Sequence, residues 1–234
     1  MKTNFASTAL ALTIAACGGS NLDPGAGNDP GKGTGTLAIE GSVHASPRLT
    51  NARTDAEFDT DFSVRVSLNN QTVTTGTVTV TSSTGKVPLT YRTDNRWTGS
   101  VPGYDEVYIL DVETGPDKIT GVRVDGPDIH VFSAPTAGAI VDPTVALIVK
   151  WDREDEADSA AMRAENLDSI SIPDSGSYAL AAGALRTDTD QARQNTLRLT
   201  RTNRVIPAGT AAGSTWSVSI ENEIEVVTEA QPLL

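Results

Sequence analysis

Five acids crowd into seven residues at Asp152, Glu154, Asp155, Glu156 and Asp158. Carboxylate oxygens at that density are what Ca²⁺ seeks, and loops at the ends of β-sandwiches are suited to supply them. The spacing departs from the calcium-loop pattern: Ala157 stands where glycine is needed and Arg163 where glutamate is needed. A solvated acidic loop is therefore the favoured reading, and calcium the alternative. Charge of the other sign gathers later, with Arg186, Arg193, Arg198, Arg201 and Arg204 inside 19 residues. Arg198, Arg201 and Arg204 left free would suit a sulfated or carboxylated glycan. Paired across strands with Glu221, Glu223 and Glu225 they would instead contribute a fraction of a kcal/mol each, and that structural reading is preferred.

Other chemistries find less support. His44 and His130 are the only imidazoles. Parity puts both on outward positions, His130 between inward Ile129 and Val131, and neither has neighbours with zinc-ligand spacing. A Ser-His-Asp set need not be close in sequence, but no Gly-x-Ser-x-Gly elbow is present to carry its serine. A glycosidase pair cannot be singled out among 30 acids. Pro30-Gly31-Lys32-Gly33-Thr34 is not a phosphate loop, because the first glycine of that pattern falls on Ala26 and no strand precedes it. Trp151 and Trp216 share parity with apolar neighbours and read as core. Trp97, flanked by Asn95, Arg96 and Thr98, is the tryptophan placed to stack on a sugar.

The elements that would position these groups are strands. Phe62, Val64, Val66 and Leu68 alternate with polar residues, as do Val78 and Val80 within Thr77–Thr81. Further strands are expected at Trp97–Val101, Val107–Val112 and Lys118–Val124. Gly115-Pro116-Asp117 and Gly126-Pro127-Asp128 read as hairpin turns of a meander. A Pro/Gly-rich junction near Ser133 precedes the most hydrophobic strand, in which Val145, Leu147, Val149 and Trp151 face one way. Later strands are expected at Ser169–Ile172, Tyr178–Leu180, Thr196–Val205 and Thr215–Val227. Arg153–Leu167, rich in Ala and Glu, is either a short helix or an acidic loop followed by a strand over Ser159–Ala164, and the second is preferred. A single helical turn is expected over 188–194. Strands every 8 to 12 residues indicate an all-β fold of antiparallel sandwiches. Residues 37–132 and 133–234 form units of 96 and 102 residues, each near the ~100 residues of one sandwich.

Two resemblances add to this. Met1-Lys2 begins a charged start, Phe5–Ala16 is an apolar run of 12 residues, and small residues follow, so residues 1–16 read as a secretory signal. Ile14-Ala15-Ala16-Cys17 resembles the lipobox of bacterial lipoproteins. That resemblance implies an acylated Cys17 at the mature N-terminus, several acyl chains and hence stable membrane attachment. Gly18, where aspartate favours inner-membrane retention in such proteins, implies the outer membrane and a cell-envelope location. The strand ending at Trp151 resembles the opening of immunoglobulin-like and fibronectin-type domains. Ile172–Leu180 resembles a turn and strand of exported bacterial sandwich domains of unknown function. Together these imply two immunoglobulin-like sandwiches, a fold that names no activity.

Composition narrows the partners. With 18 Lys+Arg against 30 Asp+Glu the net charge is −12, which disfavours nucleic acid and anionic headgroups. Cys17 is the only cysteine, so no internal disulfide can form. Gly18–Thr36 holds seven glycines and two prolines and reads as a flexible tether, residues 17–36, spanning ~25 Å. The expectation is a lipid-anchored, non-catalytic interaction or binding module without a cofactor. Its partner would be an envelope protein or a glycan. A surface hydrolase on glycan or ester substrates and a structural envelope subunit are the alternatives.

Overall fold

The computed structural model describes residues 22–231. Cys17 and the signal segment lie outside the described residues. In chain order the first strands are β1 (Lys32–Gly33), β2 (Leu37–Pro47), β3 (Phe58–Leu68), β4 (Gln71–Thr72), β5 (Thr77–Ser82) and β6 (Gly85–Pro88). Next come β7 (Thr90–Tyr91), β8 (Trp97–Pro102), β9 (Val107–Thr114) and β10 (Asp117–Asp125). The second half supplies β11 (Val131–Ala134), β12 (Ile140–Val141), β13 (Leu147–Asp152), β14 (Ser159–Ala164) and β15 (Leu167–Ile172). It ends with β16 (Ser177–Leu180), β17 (Arg193–Val205) and β18 (Thr215–Thr228). A 3₁₀ turn at Asp55–Glu57 is the one helical element among the described residues.

The all-β class is the one observed, and its organiser is the last hairpin. β17 and β18 pair antiparallel from Arg193↔Thr228 to Val205↔Trp216. Every second residue of β18 is buried along its whole length, which is the signature of a strand with one face on a core. Fourteen residues at ~3.4 Å each make it about 48 Å long, more than one sandwich needs. Trp216, Val218 and Ile220 belong to the first core. Ile224 and Val226 belong to the second. One sheet, ordered β15-β14-β17-β18-β2-β3-β8-β7, therefore backs both sandwiches.

In the first sandwich, β18, β2, β3, β8 and β7 face the sheet β1-β10-β9-β5-β6. β18 joins β2 in parallel, Trp216 opposite Gly41. A side chain at Gly41 would stand 2.7 Å from the Trp216 ring, so glycine here lets the indole lie flat against the neighbouring strand. In the second sandwich, β15, β14, β17 and the end of β18 face β11-β13-β16.

Four expectations change. The boundary drawn between 132 and 133 is crossed by β18, because residues from beyond it complete the first core. Gly115-Pro116-Asp117 does make the β9–β10 hairpin, but Gly126-Pro127-Asp128 leads from one sheet to another and joins the sandwiches. Residues 188–194 contain bends and the start of β17, with no helical turn, since the pairing of Arg193 with Thr228 already extends the chain there.

The fourth change concerns the tether. Residues 22–36 are bound along the first sandwich as a strap. Lys32 and Gly33 pair with Thr120 and Ile119. Gly25 and Gly27 donate to Asp125 Oδ2 at 3.0 and 2.8 Å. Gly35 donates to the Gly209 carbonyl at 2.7 Å, and Ala208 donates to that of Pro30 at 2.8 Å. Two of the glycines that suggested flexibility, Gly31 and Gly33, serve close approach instead. A side chain on Gly33 would collide with the backbone oxygen of Gly209.

Candidate functional site

Where the two cores meet, the inward row of the long hairpin turns polar. Asn195, Leu197, Leu199 and Arg201 alternate on β17, and Asn222 follows Ile220 on β18. Arg201 is fully buried. Its Nε donates to Asp174 Oδ2 at 2.9 Å, and its Nη1 to the Asp128 carbonyl at 2.8 Å and Oδ1 at 3.1 Å. Nη2 donates to the carbonyl of Asp155. A charge taken out of water needs this density of partners to persist.

The same carboxylates hold the acidic segment. Asp128 accepts the backbone N–H of Glu154 at 2.7 Å and of Asp155 at 3.3 Å. Asp174 accepts from Ala157 at 2.8 Å and from the Trp151 indole at 3.0 Å. Burial alone would raise the Asp174 carboxyl; the Ala157 N–H and the Arg201 guanidinium outweigh it and hold the pKa below its ordinary value. Asp158 Oδ2 accepts from the N–H of Arg204 at 2.8 Å. Residues 152–158 are thus wrapped around Arg201, with their backbone donors used in the wrapping.

Asparagines complete the joint. Asn222 Oδ1 accepts from Ala52 at 3.0 Å and from Glu223 at 2.9 Å, while Nδ2 donates to Ala52 at 2.8 Å and to the His130 carbonyl at 2.7 Å. Asn51 exchanges two bonds with the backbone of Phe132, at 3.1 and 2.8 Å. A loop of the first sandwich is thereby fastened to β11 of the second. His130 sits between them, fully buried, its Nε2 donating to the Leu199 carbonyl at 3.0 Å. That bond leaves Nδ1 unprotonated, and among the described residues it has no partner. Burial first, and the Arg201 charge second, push the imidazole pKa down to about 3.

Two clefts open beside this joint. One of ≈ 210 Å³ is lined by Glu106, Asp125, Asp128, Glu154 and Glu156 together with Pro24 of the strap. A larger one of ≈ 570 Å³ is lined by Asp55, Ser83, Tyr104, Asp105 and again Glu106 and Pro24. Burial, then the charges of Asp128, Asp55, Glu154 and Asp105, raise the Glu106 pKa above the usual carboxylate value. The walls are negative and would attract basic groups. Asp125 and Asp128, by contrast, already accept several N–H donors.

The residues singled out from sequence fall as follows. Asp152, Glu154, Asp155, Glu156 and Asp158 lie together, and among the described residues no three His, Cys, Asp or Glu stand where they could hold one metal ion. Arg198 pairs with Glu223 at 2.9 Å and Glu221 at 3.7 Å on the outer face, as the preferred reading had it. Arg201 points the opposite way. Arg204 is exposed. Trp97 is 6% exposed, donates to the Val73 carbonyl at 3.2 Å and meets Tyr91 edge-on, so it is a core residue and offers no stacking surface. Trp151 and Trp216 are buried, in the second and first cores respectively.

His44 is outward as expected and its Nδ1 lies 2.9 Å from Ser219 Oγ on the adjacent strand. His130 is inward, contrary to expectation, because it lies in the crossover and not in a strand whose parity could be counted. Reading by elements missed Asn222, Asp128 and Asp174. The available signal was an arginine and an asparagine at inward parity among Leu197, Leu199, Ile220 and Ile224, which requires buried partners.

No family model matches the chain, and no curated protein matches it. Solved structures give weak likenesses. The chain is similar to one in the complex of Dpr11 IG1 with DIP-gamma IG+IG2, at 12% identity and a TM-score of 0.25, covering 83% of this chain and 98% of that one. It is similar to a bacterial ice-binding adhesin at 17% identity and a TM-score of 0.22, covering 81% and 66%. It is also similar to a β-1,2-glucanase from Parabacteroides distasonis at 9% identity and a TM-score of 0.24, covering 89% and 39%. At such scores the likeness is one of β content and carries no activity. Among the described residues, no helix is long and apolar enough to cross a membrane.

Proposed function

We propose that this is a lipid-anchored, non-catalytic interaction protein of the bacterial cell envelope, attached through Cys17, at the outer membrane in preference to the inner. Its partner is an envelope protein or a glycan, contacted through loops and sheet edges. The observation supporting this is β18, continuous through both sandwiches and clamped midway by Asn222 and Arg201. Such a body presents loops at fixed separation, and its buried polar groups are committed to holding that separation. Whole-cell crosslinking followed by mass spectrometry should recover one reproducible envelope partner. Cys17→Ser should move the protein to the soluble fraction. A free Cys17 thiol on mature protein contradicts the anchor, and loss of every crosslink on glycan removal narrows the partner to sugar.

A surface hydrolase is the second reading, and the Ser219–His44 contact is what favours it. Asp61 is the cross-strand partner of His44, which places an acid beside the pair. Against it, Ser219 Oγ also lies 3.1 Å from the Val43 carbonyl, and among the described residues no carboxylate hydrogen-bonds the imidazole. Turnover of a model ester that Ser219→Ala abolishes would establish this second reading and defeat the first.

A further inference from the structure

The strap decides where on the body a lipid at Cys17 would pull. Had residues 17–36 been free, the body could tumble at the end of a ~25 Å coil. The described residues begin at Leu22. Arg123 donates to the Asp23 carbonyl, Asp125 accepts from Gly25 and Gly27, and the N–H of Asp125 donates to Asn28 Oδ1 at 2.9 Å. Asp125 immediately precedes the Gly126–Asp128 crossover. Pro24 lines both clefts, opposite Glu154 and Asp128 of the joint in one of them. The chain therefore enters the body at its waist and runs outward to Leu37, at the far end of the first sandwich, before β2 returns. From Cys17 to Leu22 there are five residue steps, a reach of at most ~18 Å. The ends of β18 lie about 24 and 20 Å to either side of Asn222.

We infer that the mature protein is held to the membrane by its waist, so that the acid-lined clefts around Pro24 and Glu106 face the lipid surface and both poles project sideways. This rests on the lipid-anchor reading above. The clefts then open onto the headgroup layer, and partners away from the membrane meet the poles or the outer face of the large sheet.

The test is energy transfer to a headgroup acceptor in vesicles carrying the full-length acylated protein. A donor dye on an azide-bearing residue is placed in turn at Glu156 (waist), Thr75 (first pole) and Gln191 (second pole), all exposed. Transfer should be strongest from Glu156 and lower from both poles. Asp125→Asn, which weakens the hold on Gly25 and Gly27, should reduce the contrast while acylation is unchanged. Equal transfer from the three sites, or strongest transfer from a pole, overturns the waist attachment. An unacylated Cys17 by intact mass defeats the anchor reading alone. The same measurement on protein coupled through the Cys17 thiol to a maleimide lipid then decides the geometry by itself.

Discussion

Trp216, Val218 and Ile220 at one end of β18, and Ile224 and Val226 at the other, are buried against whatever apolar neighbours fill the space. Asn222 between them, and Arg201 on the adjacent strand, are buried only because particular atoms stand at particular distances. The same two strands thus carry two kinds of packing. Cores assembled by area tolerate exchange among residues of similar volume. A waist assembled by bonds does not, because removing one partner leaves the other desolvated and unpaired. The waist therefore sets the angle between the sandwiches more strictly than the cores set their own shapes.

The comparison is broken most severely by cutting the chain. Residues 133–234 expressed alone carry Trp216, Val218 and Ile220 without the strands that cover them. Aggregation or a non-cooperative thermal melt is expected, and a sharp melt would show that the second sandwich is independent. Next in size, Arg201→Ala leaves Asp128 without its cation and Asp174 with only Arg153, 3.8 Å away. A loss of about 3–5 kcal/mol in urea unfolding is expected. Arg201→Met combined with Asp174→Leu should cost less than Arg201→Ala alone. Asn222→Ala strands the polar groups of Ala52 and the His130 carbonyl and should cost about 1–3 kcal/mol.

Acid should weaken the waist before the cores. His130 titrates near 6.5 when unfolded and about 3 when folded. Above 6.5 it is neutral in both states and adds no pH dependence. Between 6.5 and 3 the unfolded chain takes up a proton that the native state refuses, so stability falls as pH drops through that window. Asp174, depressed in the native state, contributes stability above its unfolded value near 3.8 that is lost on further acidification. Glu106, raised by burial and then by its acidic neighbours, works in the opposite sense and is relieved as it protonates. The urea midpoint should therefore decline from pH 7 to 4, and His130→Gln should flatten that decline. The smallest effect is reserved for Arg198→Ala. Its pairs with Glu221 and Glu223 are on the solvated face, and a change within about 1 kcal/mol is expected. Equal costs for Arg198→Ala and Arg201→Ala would erase the distinction between face and waist.

Much of the sheet structure was legible because alternation is a local property. Within Arg153–Leu167 the preferred reading, an acidic loop followed by a strand over Ser159–Ala164, matches β14, and the alternative of a short helix does not. Parity failed where there was no strand to count in. His130 lies in a crossover, and its neighbours Ile129 and Val131 gave a false inward face. Arg198 and Arg201 looked alike as members of one basic cluster, although three positions along a strand place them on opposite faces. Residues 22–36 looked like a coil because glycine serves flexibility and close backbone approach equally well. The partners that decide between the two, Gly209 and Asp125, lie a hundred or more residues away. Of the joint, inward parity marks only Arg201 and Asn222; their partners Ala52, Asp128 and Asp174 are brought to them only by the full topology.

The central claim is that one shared strand makes two sandwiches a single cooperative body. Native-state hydrogen exchange across low urea concentrations tests it on the unmodified chain. The slowest amides of β3 in the first sandwich and of β14 in the second should converge on one opening free energy with one urea dependence. Two separate limits, with β14 opening while β3 stays protected, would contradict the account.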